Sequence, residues 1–207
     1  MATTSNYLWT TPDDSSLVKD GASAIRTLGS AIDASMNTAL GTKKAGMVLL
    51  SSVAFSGVSS QSVNDVFSAT YDNYFIVVDD LVRNTSGGNG EIYLRLRVAG
   101  TDSTTNYYWA LQVSLFASDT AGTGRLNNGN NFQITGTNSD TLKCFSQIWL
   151  QNPFLTKATG FQTIHTRNDA SGYATGRNDA ATSYTGFSIV SSVNNISGTV
   201  STYGFNK

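Results

Sequence analysis

Among 207 residues there are one cysteine, one histidine and two prolines, and charged residues make up only 13% of the chain. Each scarcity excludes something. A single cysteine, Cys144, cannot form an internal disulfide framework. Within LKCFSQIW it alternates as a small strand residue, with no basic neighbour to make it a reactive thiol. One cysteine and one histidine leave too few ligands for a protein zinc site. Calcium ligands would have to come from Asp79–Asp80, Asp169 or Asp179, none at EF-hand spacing. No cofactor or metal is implied. The lone histidine, His165, must belong to any Ser-His-Asp or Cys-His arrangement. Nothing marks a partner for it, and FQTIHTR reads as a strand with a half-exposed histidine.

Low charge shifts solubility onto Ser, Thr, Asn and Gly, a composition that suits a virion or extracellular surface better than a cytosolic enzyme. The net charge of -1, with no basic run, argues against nucleic acid as a partner. Acidic residues are few and sit mostly in turn-forming contexts, so a glycosidase carboxylate pair is not indicated. The first residues, MATTSNYLW, have neither a basic nor an apolar signal region, which predicts synthesis without export. The longest apolar runs, such as Phe75–Val78, are too short to cross a bilayer, so no membrane insertion is expected. The sequons at Asn84 and Asn195 are then chance occurrences.

What is present divides at about residue 45. From Asp20 to Leu40 the apolar residues Ile25, Leu28, Ile32, Met36 and Leu40 recur at steps of three and four, the spacing of one helical stripe. Asp20 is placed to cap the helix and Gly41 to end it. Gly21 and Gly29 each weaken it by about 1 kcal/mol relative to Ala. A lone helix of this length is marginal in water and needs a surface to lie on. Ahead of it, Tyr7, Leu8 and Trp9 stand on an irregular arm broken by Pro12-Asp13-Asp14. The arm either folds back on its own helix or inserts into a partner. The anchoring candidates are Tyr7, Trp9, Ile25, Leu28, Ile32 and Met36. A short linker, Gly41–Gly46, carries the Lys43-Lys44 pair, which suits a helix C-terminus.

From Met47 the period changes to two. Strands are predicted near 47–55, 62–67, 74–82, 91–98, 107–116, 131–135, 142–151, 160–167, 172–176, 186–192 and 198–205. Glu91–Val98 is the clearest, with Ile92, Leu94, Leu96 and Val98 on one face and Glu91, Tyr93, Arg95 and Arg97 on the other. Gly- and Asn-rich turns are expected at 84–90, 100–105, 119–130 and 168–172, and a hairpin turn at 193–195. Pro153 fits a strand end. The fold class is mainly β: an N-terminal arm and single α-helix over 1–45, then an antiparallel β-sandwich of jelly-roll-like type over 46–207, with a barrel as the other possibility.

Two constellations suggest a ligand surface rather than catalysis. Tyr107-Tyr108-Trp109 opens a strand, and alternation turns either Tyr107 and Trp109 or Tyr108 outward, where exposed aromatic rings stack on sugars. In TRNDASGYATGRND, Arg167–Asp169 recurs as Arg177–Asp179, expected to place similar Arg/Asp groups on two nearby loops.

The segment SNYLWTTPDDSSLVKDGASAIRTLGSAID carries the pattern NY-x-W-T-x-PDD followed by LVKDGA-x-AIR-x-LG-x-x-ID. It resembles the N-terminal segment of tailed-bacteriophage virion proteins of the fibre and tail-fibre type, with Leu8 where glycine is common. VNDVFSATYDNYFIVV, LRLRVAGTDSTTNYYW and the closing GTVSTYGFNK resemble such proteins too. The same N-terminal segment heads proteins of tails, fibres and heads. The resemblance implies a homotrimer, attached to other virion proteins (tail, baseplate, portal or capsid) by its arm and helix, with a distal β-sandwich that meets host surface glycans. The stripe by itself does not fix the strand number, since Ile25, Leu28 and Ile32 also suit two. The expected function is therefore a structural, non-enzymatic virion protein. A capsid or tail decoration protein is the second reading, and a surface-polysaccharide hydrolase the third.

Overall fold

A computed structural model describes residues 2–13, 17–40, 46–85, 90–137 and 141–206. The chain forms two compact units, 1–45 and 46–207.

In the first unit, β1 (Ala2–Thr3) and β2 (Thr10–Thr11) pair as a short antiparallel hairpin. A single 3-10 turn, Val18–Asp20, leads into α1 (Gly21–Leu40). Asp20 therefore lies inside the helical run and does not cap it. Leu17 takes the N-cap position in extended geometry, with no side-chain cap. The expected stop at Gly41 and the Lys43-Lys44 pair lie outside the described residues.

The second unit is an antiparallel β-sandwich. Its strands are β3 (Met47–Val58), β4 (Ser60–Val63), β5 (Tyr71–Arg83), β6 (Gly90–Val98), β7 (Thr101–Asp102), β8 (Tyr107–Leu115), β9 (Ala121–Gly129), β10 (Phe132–Thr137), β11 (Cys144–Gln151), β12 (Thr159–Thr166), β13 (Ala170–Asn178), β14 (Gly186–Ser191) and β15 (Ile196–Asn206). An eight-stranded sheet runs β3-β15-β5-β11-β12-β13-β8-β9. A five-stranded sheet runs β10-β6-β14-β4, with β7 on β6. Alternation chooses the inner faces. Tyr74, Ile76 and Val78 of β5 and Ile148 and Leu150 of β11 are buried, as are Ile92, Leu94 and Leu96 of β6 and Phe187 and Ile189 of β14. Phe132 joins the sheets, stacked 4.2 Å from Phe161 and edge-on to Tyr107 at 4.8 Å.

Three local expectations change. The strand predicted through residue 67 ends at Val63, because Asp65 has a positive φ of 52° and turns the chain; Phe67 remains in the core. Val98, expected inside, is 39% exposed at the end of β6. The stretch 119–130, read as a turn, is mostly strand β9. Its glycines and asparagines are tolerated because, among the described residues, β9 is the outermost strand of the large sheet and pairs with β8 alone.

The large sheet is wider than the small one. β10 ends the small sheet and contacts β11, β12, β13 and β8. The β8–β9 hairpin continues the large sheet past it.

Candidate functional sites

In the N-terminal unit the apolar stripe divides into two flanks. β2 packs against α1, and Trp9 Nε1 donates to Ser35 Oγ at 2.9 Å. Ala24, Leu28, Ala31, Ile32 and Ser35 are half-buried. Ile25 and Met36 stay uncovered, at 66% and 52% exposure. Tyr7 stacks on Trp9 at 5.1 Å between ring centres, yet its other side is open. Leu8 beside it adopts φ 54°, the left-handed region that glycine enters without strain. Thr4 closes this turn: its backbone N–H donates to Trp9 O, and its carbonyl and hydroxyl accept from Leu8 N and Trp9 N, each at 3.0 Å. The arm thus folds back on its own helix through Trp9 and still presents Tyr7, Leu8, Ile25 and Met36 to solvent.

In the sandwich the structure splits the first sequence-derived constellation and brings Arg177 of the second beside Tyr108. Tyr107 is fully buried; its hydroxyl accepts from Leu96 N at 2.8 Å and donates to Ser103 O at 3.0 Å. Burial pushes its phenol well above the ordinary tyrosine range. Tyr107 therefore holds β6 to the β7–β8 connection and cannot face a ligand, which corrects the expectation. Trp109 is half-buried, with Nε1 donating to Asn131 O at 3.0 Å. Tyr108 is the residue turned outward, with the Arg177 guanidinium 5.5 Å from its ring centre.

Arg167–Asp169 and Arg177–Asp179 flank opposite ends of β13, whose nine residues span about 30 Å at strand rise. They are not on neighbouring loops, because the intervening residues form one unbroken strand between β12 and β8. Each Arg instead pairs with its own Asp: Arg177 Nε donates to Asp179 Oδ1 at 2.6 Å, and Arg167 Nε lies 2.7 Å from Asp169 Oδ1 without the alignment of a hydrogen bond.

His165 also departs from expectation: it is 3% exposed rather than half-exposed. It points inward from β12 alongside Phe161 and Thr163, as alternation requires. Burial, with help from the Arg167 charge, lowers its pKa to about 4, so it is neutral near pH 7. Ser146 is its cross-strand partner, but the Ser146 hydroxyl donates to Ile134 O at 2.9 Å and meets Thr163 Oγ1 at 2.9 Å. Among the described residues His165 Nδ1 has no hydrogen-bond partner. Cys144, two residues from Ser146, is buried, and burial raises its thiol pKa, which keeps it protonated.

A surface that the sequence reading did not single out lies on the outer face of the large sheet. Cross-strand register aligns Leu49, Tyr203, Phe75 and Trp149 in one row. Phe75 and Trp149 are 4.6 Å apart between ring centres, and Phe205 stacks on Trp149 at 5.1 Å. Trp149 is 38% exposed, and Met47, Leu49, Phe145 and Ile164 are exposed around it. The available signal was alternation: Phe145, Gln147, Trp149 and Gln151 occupy the out positions of CFSQIWLQ.

Among the described residues, no group of three or more His, Cys, Asp or Glu side chains is placed to hold a metal ion, and no helix is long and apolar enough to cross a membrane. No protein-family model, no curated protein and no solved structure matches this chain.

Proposed function

We propose that this protein is a structural, non-enzymatic component of a tailed-bacteriophage virion, of the fibre or tail-fibre type. Residues 1–45 attach it to other virion proteins, and the sandwich meets a host-surface glycan. The observation that carries the assembly role is the uncovered half of the helix stripe. A marginal helix is braced on one flank by its arm, while Ile25, Met36 and the neighbouring Tyr7 and Leu8 remain in water. Such groups suit burial in a partner or in copies of the same chain. The resemblance of residues 5–33 to phage virion segments supplies the kind of partner, and self-association as a homotrimer belongs to the same reading. In particles assembled with the full chain, Ile25→Asp combined with Met36→Asp should abolish incorporation while the purified protein stays folded. Normal incorporation of that variant removes the anchor assignment.

The second reading, a decoration protein that cements capsid or tail neighbours, draws on the Trp149 face. An exposed aromatic and aliphatic sheet face suits protein contact better than a hydrated receptor. Trp149→Ser should then weaken particle stability without changing adsorption to cells; under the leading reading particle stability is unaffected.

A further inference from the structure

Where the β8–β9 hairpin extends past the small sheet, it leaves a cleft of about 430 Å³. The volume lies in the range of small-molecule sites. Its two sides differ in chemistry. Trp109, Leu111 and Val113 stand on inward positions of β8 but are only half-buried, because the small sheet ends at β10 before covering them fully. Opposite are Glu91 and Tyr93 of β6 and Gln133 of β10, which register places on one face of the small sheet. His165, almost completely buried, also lines the cleft, and among the described residues its Nδ1 has no partner.

Charge in the lining does not select an acid. Arg167 is offset by Asp169. Arg125 does not alter this balance, since register turns its side chain to the other face of the sheet, beside Ala110. Among the described residues Glu91 has no cation paired to it, and its carboxylate repels an anion. Glu91 is exposed, so water and salt screen its pull on a cation, which Arg167 opposes. What the lining offers is hydrogen bonding. The Glu91 carboxylate accepts from the Tyr93 hydroxyl at 2.5 Å and keeps further acceptor sites, while Gln133 adds an amide donor and acceptor. An uncharged ligand with hydroxyls along one edge and an apolar face fits both sides, and a pyranose ring has that form. Its C–H face rests on aromatic and aliphatic groups such as Trp109 and Leu111. The floor is kept open by Gly124. A Cβ there would meet Leu111 Cδ2 at 3.4 Å and Trp109 Cζ3 at 3.5 Å, ordinary contacts that point a larger side chain into the space.

We infer that this cleft binds one uncharged pyranose unit, its apolar ring face against Trp109 and Leu111 and its hydroxyls bonded to Glu91 and Gln133. The inference deepens the receptor-binding half of the proposed function and rests on it for the source of the sugar, a host-surface glycan. None of these groups acts as a catalyst in this role.

The single histidine supplies a reporter in the lining. The His165 ring-proton signals of the full chain are followed by NMR as the methyl pyranoside of glucose, galactose, mannose or rhamnose is added, and in parallel sodium glucuronate, glucosamine or cyclohexanol. The expected result is a saturable shift with at least one of the four glycosides, and binding at least about tenfold weaker with each of the other three probes. Glu91→Gln, at an exposed position, should weaken glycoside binding about tenfold, the scale of a lost charge-assisted hydrogen bond, and should remove the discrimination against glucuronate. Gly124→Leu should abolish binding. Unfolding at the wild-type midpoint reports an intact fold in each variant, and Glu91→Gln decides the matter if Gly124→Leu does not fold. Equal or tighter binding of glucuronate or glucosamine makes this an ion site and overturns the inference; equal binding of cyclohexanol makes it an unselective apolar pocket and does the same. No shift with any of the four glycosides, or undiminished binding by Glu91→Gln, overturns it as well. Binding of the purified full chain to host cells tests the receptor reading separately. A chain that binds cells but none of the glycosides removes this site alone, and one that binds a glycoside but no cells removes the receptor reading and leaves the cleft.

Discussion

Neutral, buried His165 makes the sandwich acid-sensitive in a window that can be calculated. Its pKa falls from the ordinary 6.5 to about 4, first because burial disfavours the imidazolium and second because Arg167 repels it. The lowered value means that the unfolded chain takes up a proton before the folded one does. Between about pH 6.5 and pH 4 the unfolded state binds more protons, so stability falls as pH falls and is regained as pH rises. The lowered value corresponds to about 3 kcal/mol when fully developed, most of it already lost at about pH 4.5. That is a large fraction of the stability of an ordinary domain. The charged group that acts on His165, Arg167, opposes its protonation and so does not offset the loss.

The assay is urea unfolding of the wild type and His165→Gln at about pH 7 and about pH 4.5. Gln has similar length and does not titrate, so it removes the proton linkage while keeping polar atoms in the site. The wild type should lose about 2 kcal/mol more than the variant between the two conditions. An independent imidazole titration by NMR should place the folded pKa near 4. Parallel pH dependence of the two proteins, or a folded pKa near 6.5, refutes the reasoning, because carboxylates elsewhere contribute equally to both chains.

Other perturbations test the packing of the sandwich. Gly176→Ala places a Cβ 2.1 Å from the Tyr108 carbonyl oxygen, which cannot move without disturbing the β13–β8 ladder, so chemical denaturation should show a loss of about 2–3 kcal/mol. Phe161→Ala removes a ring stacked on Phe132 at the junction of the sheets and should cost about 3–5 kcal/mol in the same measurement. Asp102→Ala leaves Arg97, which also reaches Ser188, Asn64 and the Gly100 carbonyl, without its carboxylate; a loss of about 2 kcal/mol is expected, with the unfolding transition still cooperative.

The sandwich was legible because its strands alternate strictly. Burial along β11, CFSQIWLQ, switches at every residue, and that periodicity is a property of the string itself. The helix was legible for the same reason at a different period. β9 was not, because glycine and asparagine describe what the backbone permits and not what it pairs with. Only the neighbouring β8, through seven registered pairs from Tyr107 to Ser114, makes AGTGRLNNG a strand. His165 was read as a half-exposed strand residue and is buried. Alternation chooses a side, while burial depends on β10, which contacts β12 from the opposite sheet and is separated from it by more than twenty residues.

The same long-range pairing that hid β9 also explains how a site can exist in a chain so poor in chemically active residues. None of the motifs in this sequence brings Trp109, His165 and Glu91 near one another; they belong to three different strands, and they line one cleft because one sheet is wider than the other. The glycines that obscured the strand serve that arrangement. Gly122 and Gly124 occupy the positions opposite Val113 and Leu111, where larger residues would fill the space beneath the hairpin. A sandwich with sheets of equal width and bulky residues in β9 would gain buried area and lose the cleft. The low side-chain volume of β9 is therefore consistent with a surface kept open for a ligand, and a single leucine at position 124 is enough to separate the two cases: it should leave the fold intact and remove the space.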